Sequence, residues 1–184
     1  MEIPQRYVYL MFQIDTNRLN SRQSLPYMNK LERWQENGII DIEISEVAQQ
    51  EARCGSNSLR GKKAVGYIFS ETQATSDVDI RMLNQLEAIL CPNGPKNQNE
   101  HNDIEIVFNA WKYGRILVTN DGASKSEPNG IIGNREKLHS LGIRVMRDFE
   151  AVDLVEQKIE ERDNLARLIA KETRQPLPAW IGKD

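Results

Sequence analysis

The chain has 184 residues, a formal charge of -3 and 39% hydrophobic residues, enough for one domain with a real core and too few for two comfortable ones. The acidic balance excludes nucleic-acid binding driven by overall charge, leaving only a local basic rim. Cys54, Cys91, His101 and His139 form no zinc-ligand spacing, no apolar run reaches the roughly 20 residues of a bilayer span, and no leader pattern opens the sequence; the expectation is a cytoplasmic chain with free thiols and no membrane partner.

In chain order, Tyr7 to Ile14 is aromatic, β-branched and free of breakers, as expected of a central strand buried on both faces. Pro26 to Asn37 places Met28, Leu31 and Trp34 at helical spacing, with Pro26 at the start and Asn37-Gly38 as the stop. Ile39 to Ile44 is a second strand. Ser45 then caps a helix that runs through Val47, Ala48 and Ala52 to Gly55. Ser56 to Phe69 is polar and basic and assigns weakly. Ser76 to Leu90 is again helical, capped by Ser76 and Asp77. The turn-rich Cys91 to Asn99 leads to a helix over Asp103 to Tyr113, closed by Gly114. Arg115 to Thr119 is a strand, Gly133 to Leu141 a helix and Ile143 to Met146 a short last strand. Strand-helix alternation implies parallel pairing through right-handed crossovers. Asp153 to Glu172 is a charged helix that either packs outside the sheet or binds a protein partner.

Four acids stand where apolar runs end or helices begin: Asp15, Glu51, Asp103 and Asp121. Ligands of an open parallel sheet bind outside the carboxyl ends of its strands, so these acids can converge despite their separation in sequence. Converging carboxylates repel unless a cation lies between them. Mg²⁺ suits such a set because it takes hard oxygen ligands and keeps several waters, and Mn²⁺ accepts the same donors. Each acid also has a plainer explanation. Asp15 could be a solvated turn, Asp103 a helix N-cap, Glu51 a surface residue with Glu46 as its rival, and Asp121 half of an Asp-Gly turn.

These residues resemble the PIN-domain nucleases. The matching pieces are Asp15-Thr16-Asn17-x-Leu19 after the first strand, Ser45-Glu46 with Glu51 on the second helix, Asp103 with Ala110 on a later helix, and Leu117 to Asp121. The resemblance runs from about Tyr7 to Arg147, and Ser56 to Asn99 adds little to it. It implies a three-layer α/β/α fold around a central parallel sheet, with a nuclease domain over 1–149 and a C-terminal helix and tail over 150–184 packed on it. It also implies metal-dependent cleavage of RNA, with Asp15, Glu51, Asp103 and Asp121 as the catalytic, metal-binding acids. Thr119 or Asn120 would lie near the scissile phosphate, and Arg18 and Arg53 are candidate substrate contacts. A homodimer and a toxin-type ribonuclease held by an antitoxin are further expectations from family habit. A PIN-like module that binds a partner through its last helix and cleaves nothing is the alternative from another class.

Other signals count for less. Gly55 to Lys63 superficially resembles a phosphate loop, but has one residue too many between its glycines and follows a helix. An aspartyl-nucleophile phosphatase needs a second Asp two positions after the first, where this chain has Asn17. No Ser-His-Asp or Cys-His set occurs in a strand-turn-helix context. Ser124, Lys125, Ser126, Glu127 and Pro128 depart from the family's usual acidic-aromatic continuation after its last Asp.

Overall fold

Among the described residues, the apolar runs form five short strands: β1 (Met11–Ile14), β2 (Asp41–Ser45), β3 (Ile68–Ser70), β4 (Ile116–Val118) and β5 (Val145–Met146). The computed structural model describes residues 2–184 except 56, 72 and 123–128; Ser124 to Pro128, singled out above, lie outside the described residues. The strands pair in parallel throughout, in the order β3-β2-β1-β4-β5. Phe12 and Ile14 of the central strand are fully buried, together with Ile42 and Ile44 of β2 and Leu117 and Val118 of β4.

Among the described residues, seven helices surround the sheet: α1 (Pro26–Glu36), α2 (Glu46–Cys54), α3 (Ser58–Val65), α4 (Asp77–Leu90), α5 (Gln98–Lys112), α6 (Arg135–Ser140) and α7 (Asp148–Thr173). Chain order runs outward from β1 to β3 and then reverses to β4 and β5, so right-handed crossovers put α1 to α3 on one face and α4 to α6 on the other. α7 returns to lie on α1, where Lys30 pairs with Glu156. The result is a parallel sheet between layers of helices, the three-layer α/β/α arrangement that the resemblance implies.

Element boundaries differ from expectation for identifiable reasons. β1 starts at Met11, four residues late, because Tyr9 has φ +57 and breaks the extended run. The weakly assigned segment contains α3 and β3. Asn57 caps α3 by accepting the N–H groups of Leu59 and Arg60, and Gly61 lets α3 approach α2, since a side chain there would meet the Ala52 carbonyl oxygen at 3.4 Å. Ser76 caps α4 as expected, but its reciprocal partner is Asp79 and not Asp77. α5 begins at Gln98, so Asp103 is not an N-cap. That role falls to Asn97, whose side chain accepts the Glu100 N–H at 3.0 Å. The first turn of α5 is wholly polar and hides from any search for apolar periodicity.

α7 likewise begins at Asp148, five residues early, and its buried Arg162 gathers the ends of the chain. Arg162 pairs with Asp163 at 2.6 Å and with Asp184, and its guanidinium lies 4.4 Å from the centre of the Trp180 ring. Arg6 pairs with Asp184 at 2.7 Å. Among the described residues no helix is long and apolar enough to cross a membrane.

The cap that starts α2 also aims Glu51. Ser45 is fully buried and its hydroxyl accepts the Ala48 N–H at 3.2 Å. Ser45→Ala is expected to lower the unfolding free energy by about 1 kcal/mol, seen in urea melts as a lower midpoint at unchanged slope.

Candidate active site at the sheet switch point

Strand order reverses between β1 and β4, the position where open α/β sheets bind ligands. Asp15 leaves the end of β1 there, with its N–H donating to the Val118 carbonyl at 3.0 Å. The chain then turns through a 3₁₀ segment, Thr16–Arg18, which drops the Asp15 side chain into the crevice at 3% exposure. Thr119, fully buried just past β4, donates its hydroxyl to Asp15 Oδ2 at 2.6 Å. The Asn17 amide donates to the same oxygen and to Thr119 Oγ1 at 3.1 Å, while Asn17 Oδ1 accepts the Asn120 N–H at 3.0 Å. The β1 and β4 ends are thus laced together across the crevice.

Glu51, on the last turns of α2, accepts the Thr16 hydroxyl at 2.6 Å and so faces the Asp15 turn. Its rival Glu46 instead accepts from Gln50 at 2.9 Å. Asp121 sits in the turn its sequence suggests, with Gly122 at φ +99. Its N–H donates to Thr119 Oγ1 at 3.0 Å and its Oδ2 accepts the Ile131 N–H at 2.7 Å. Gly130 makes this possible: a Cβ there would strike Asp121 Oδ2 and lie 2.7 Å from the Gly122 Cα. Asp103, in the second turn of α5, lines with Asp121 a cavity of about 170 Å³.

Electrostatics tie three of the acids together. Burial pushes the Asp15 carboxyl up to about 6 from an ordinary 3.8, the Thr119 hydrogen bond opposes that rise, and the charges of Glu51 and Asp121 add to it. Among the described residues, no group of three or more His, Cys, Asp or Glu side chains closes around one point as a finished metal site would. The donor set nonetheless suits a hard cation. It is all oxygen, and its members repel one another in a way that a divalent ion would reverse.

A groove of about 360 Å³ on the other side of Asn17 is lined by Arg18, Arg22, Asn57 and Arg60. Arg18 is not a free cation there, because it pairs with Asp148 at 3.0 Å. Arg53 is exposed, and Lys63 is drawn away to Glu32 at 3.0 Å. Sequence reasoning named the acids but gave no role to Thr16 or Asn17, the residues that position two of them. The unbroken Asp-Thr-Asn run was the available signal. Gly130 left none, since its contact with Asp121 exists only in three dimensions.

No protein-family model matches the chain, and no curated protein gives a significant match. Among solved structures, a crystal structure of VapBC2 from Rickettsia felis bound to a DNA fragment from the promoter aligns over 75% of this chain and 98% of that one, at TM-score 0.46 and 17% sequence identity.

Folding raises the Asp15 pKa, so the native state holds that proton more tightly than the unfolded chain does. The resulting stability is complete below 3.8 and is lost as pH rises through about 6. At neutral pH the ionised carboxylate therefore costs the metal-free protein roughly 3 kcal/mol. Asp15→Asn, which keeps an acceptor for Thr119, is expected to raise the metal-free Tm at pH 7.5, the gain shrinking as pH falls toward 4; a lower Tm at pH 7.5 would contradict the assignment. Gly130→Ala is expected to displace the Asp121 loop and to cost about 1–3 kcal/mol, measurable by the same melts.

Proposed function

We propose that the protein is a metal-dependent endoribonuclease that hydrolyses phosphodiester bonds at the β1/β4 switch point. The observation that carries this reading is the buried Asp15 carboxyl, held above its ordinary range beside Glu51 and Asp121 at the carboxyl ends of parallel strands. The order of the acids along the chain, with Asp103 on α5, agrees with the resemblance to PIN-domain nucleases. Asp15, Glu51, Asp103 and Asp121 would hold Mg²⁺ or Mn²⁺, with small side-chain movements closing the set. When bound, the ion supplies the charge that activates a water for in-line attack on phosphorus and stabilises the leaving oxygen.

The chain's own residues define the rest. Thr119 and Asn17 fix one Asp15 oxygen, which sets the direction of the other. Thr16 does the same for Glu51. Ionised Asp15 is the form that binds a cation, so metal binding displaces its proton and strengthens as pH rises through about 6. The Arg22 and Arg60 groove offers a positive path for the substrate backbone on one side of the acids. Arg18 orders the turn after Asp15 through Asp148.

Incubation of the purified chain with end-labelled single-stranded RNA and Mg²⁺, Mn²⁺ or chelator is expected to give cleavage only with metal. Asp15→Asn should abolish it. Thr119→Val removes the hydrogen bond that lowers the Asp15 pKa, and is expected to reduce activity about 10- to 100-fold, with the larger loss near pH 6 than near pH 8. Cleavage surviving in Asp15→Asn, or none with any metal, would remove the nuclease reading and favour the interaction module.

A further inference from the structure

Tyr27 and Phe149 stand half exposed, at 48% and 39%, where α1 and α7 begin. Their ring centres lie 6.1 Å apart, with the planes inclined by 58°. A run of side chains ties the pair to the acids. The Asp148 carboxylate accepts the Phe149 N–H at 3.0 Å and pairs with Arg18 at 3.0 Å. Arg18 in turn donates to Asn17 Oδ1 at 3.0 Å, and the Asn17 amide donates to Asp15. Asp148, Arg18 and Asn17 thus connect the aromatic pair to the buried carboxyl. On the other flank, Tyr27 closely follows Ser24 and Leu25, which line the groove of Arg22 and Arg60.

Neither ring belongs to the buried core, so both keep apolar surface in solvent beside the crevice. An aromatic face accepts a base by stacking, and arginines along an adjoining groove accept the phosphates; single-stranded nucleic acid is held by this combination. Bases inside a duplex are already stacked on one another and offer no free face. The flanking charge permits a polyanion. Asp148 is neutralised by Arg18, and Asp153 and Glu156 lie about one and two turns farther along α7, with Glu156 paired to Lys30. We propose that Tyr27 and Phe149 form a stacking platform for one unpaired base of an RNA strand whose backbone follows the Arg22 and Arg60 groove to the acids. The platform's place on the reaction path rests on the nuclease reading above, whereas the binding itself does not. It makes the chain selective for single strands over duplex, with little dependence on which base is stacked.

The test is fluorescence anisotropy in chelator, titrating the full chain into a short end-labelled single-stranded RNA and into the same RNA annealed to its complement. The single strand is expected to bind roughly tenfold or more tightly than the duplex. Tyr27→Ala and Phe149→Ala are each expected to weaken single-strand binding about tenfold and to leave duplex binding unchanged. Tyr27→Phe and Phe149→Tyr, which keep the ring, are expected to bind as the parent chain does. Alanine variants with parental affinity, an equal loss for both RNAs, no rescue by the aromatic replacements, or no RNA binding by the parent chain overturns the platform. Because this readout needs no cleavage, the two readings separate. Metal-dependent cleavage with an unchanged KM in both alanine variants would overturn the platform and leave the nuclease standing. Ring-dependent binding of single strands by a chain that cleaves nothing would leave the platform and remove the nuclease.

Discussion

The N–H of Asp15 donating to the Val118 carbonyl joins the end of the central strand to the end of β4, and the site depends on that junction. It fixes Asp15 one residue beyond β1, at the place where the order of the described strands reverses, so that right-handed crossovers on either side run to opposite faces. Helices diverge there and leave a crevice. Every other component of the site reaches it from one of the two strand ends or from a helix that begins nearby.

The arrangement costs stability. A fully solvated Asp at this turn would cost nothing, but the 3% exposed one has lost its water and faces two other acids. Thr119 and Asn17 recover part of that cost through hydrogen bonds to a single oxygen, and a backbone hydrogen bond from Thr16 adds to that. The repulsion that raises the Asp15 pKa would become attraction if a divalent ion entered. Local destabilisation at a site held by a rigid sheet is a recurring relation between structure and function.

The surface differs on the two sides of the acids. On the side of α3 it carries Arg22 and Arg60. On the side of the α4–α5 loop, Leu90 to Asn93 and Lys96 line a cavity together with Asp103 and Asp121. The stretch over 56–99 adds little to the family resemblance, and its described residues contribute to both. Asn57 and Arg60 lie in the groove, and Leu90 to Lys96 form the cavity wall. Elements outside the resembling motifs thus flank the acids on either side.

Much of this was legible along the chain. Short segments of strand composition gave β1, β2 and β4, and alternation with amphipathic helices gave a parallel sheet, because burial periodicity is written locally. The four acids were legible because each lies within a residue or two of an element end or on a capped helix, as Ser45 shows for Glu51. The polar first turn of α5 was not, since Gln98 to Asn102 carry no apolar signal; nor was α3, whose N-cap Asn57 sits in a basic stretch. Tertiary structure alone decided that Arg18 is spent on Asp148, that Gly130 must lack a side chain for Asp121 to stand where it does, and that Asp15 shares its field with Glu51 and Asp121. These facts concern distances between residues remote in sequence. Packing fixes such distances, and no local pattern encodes them.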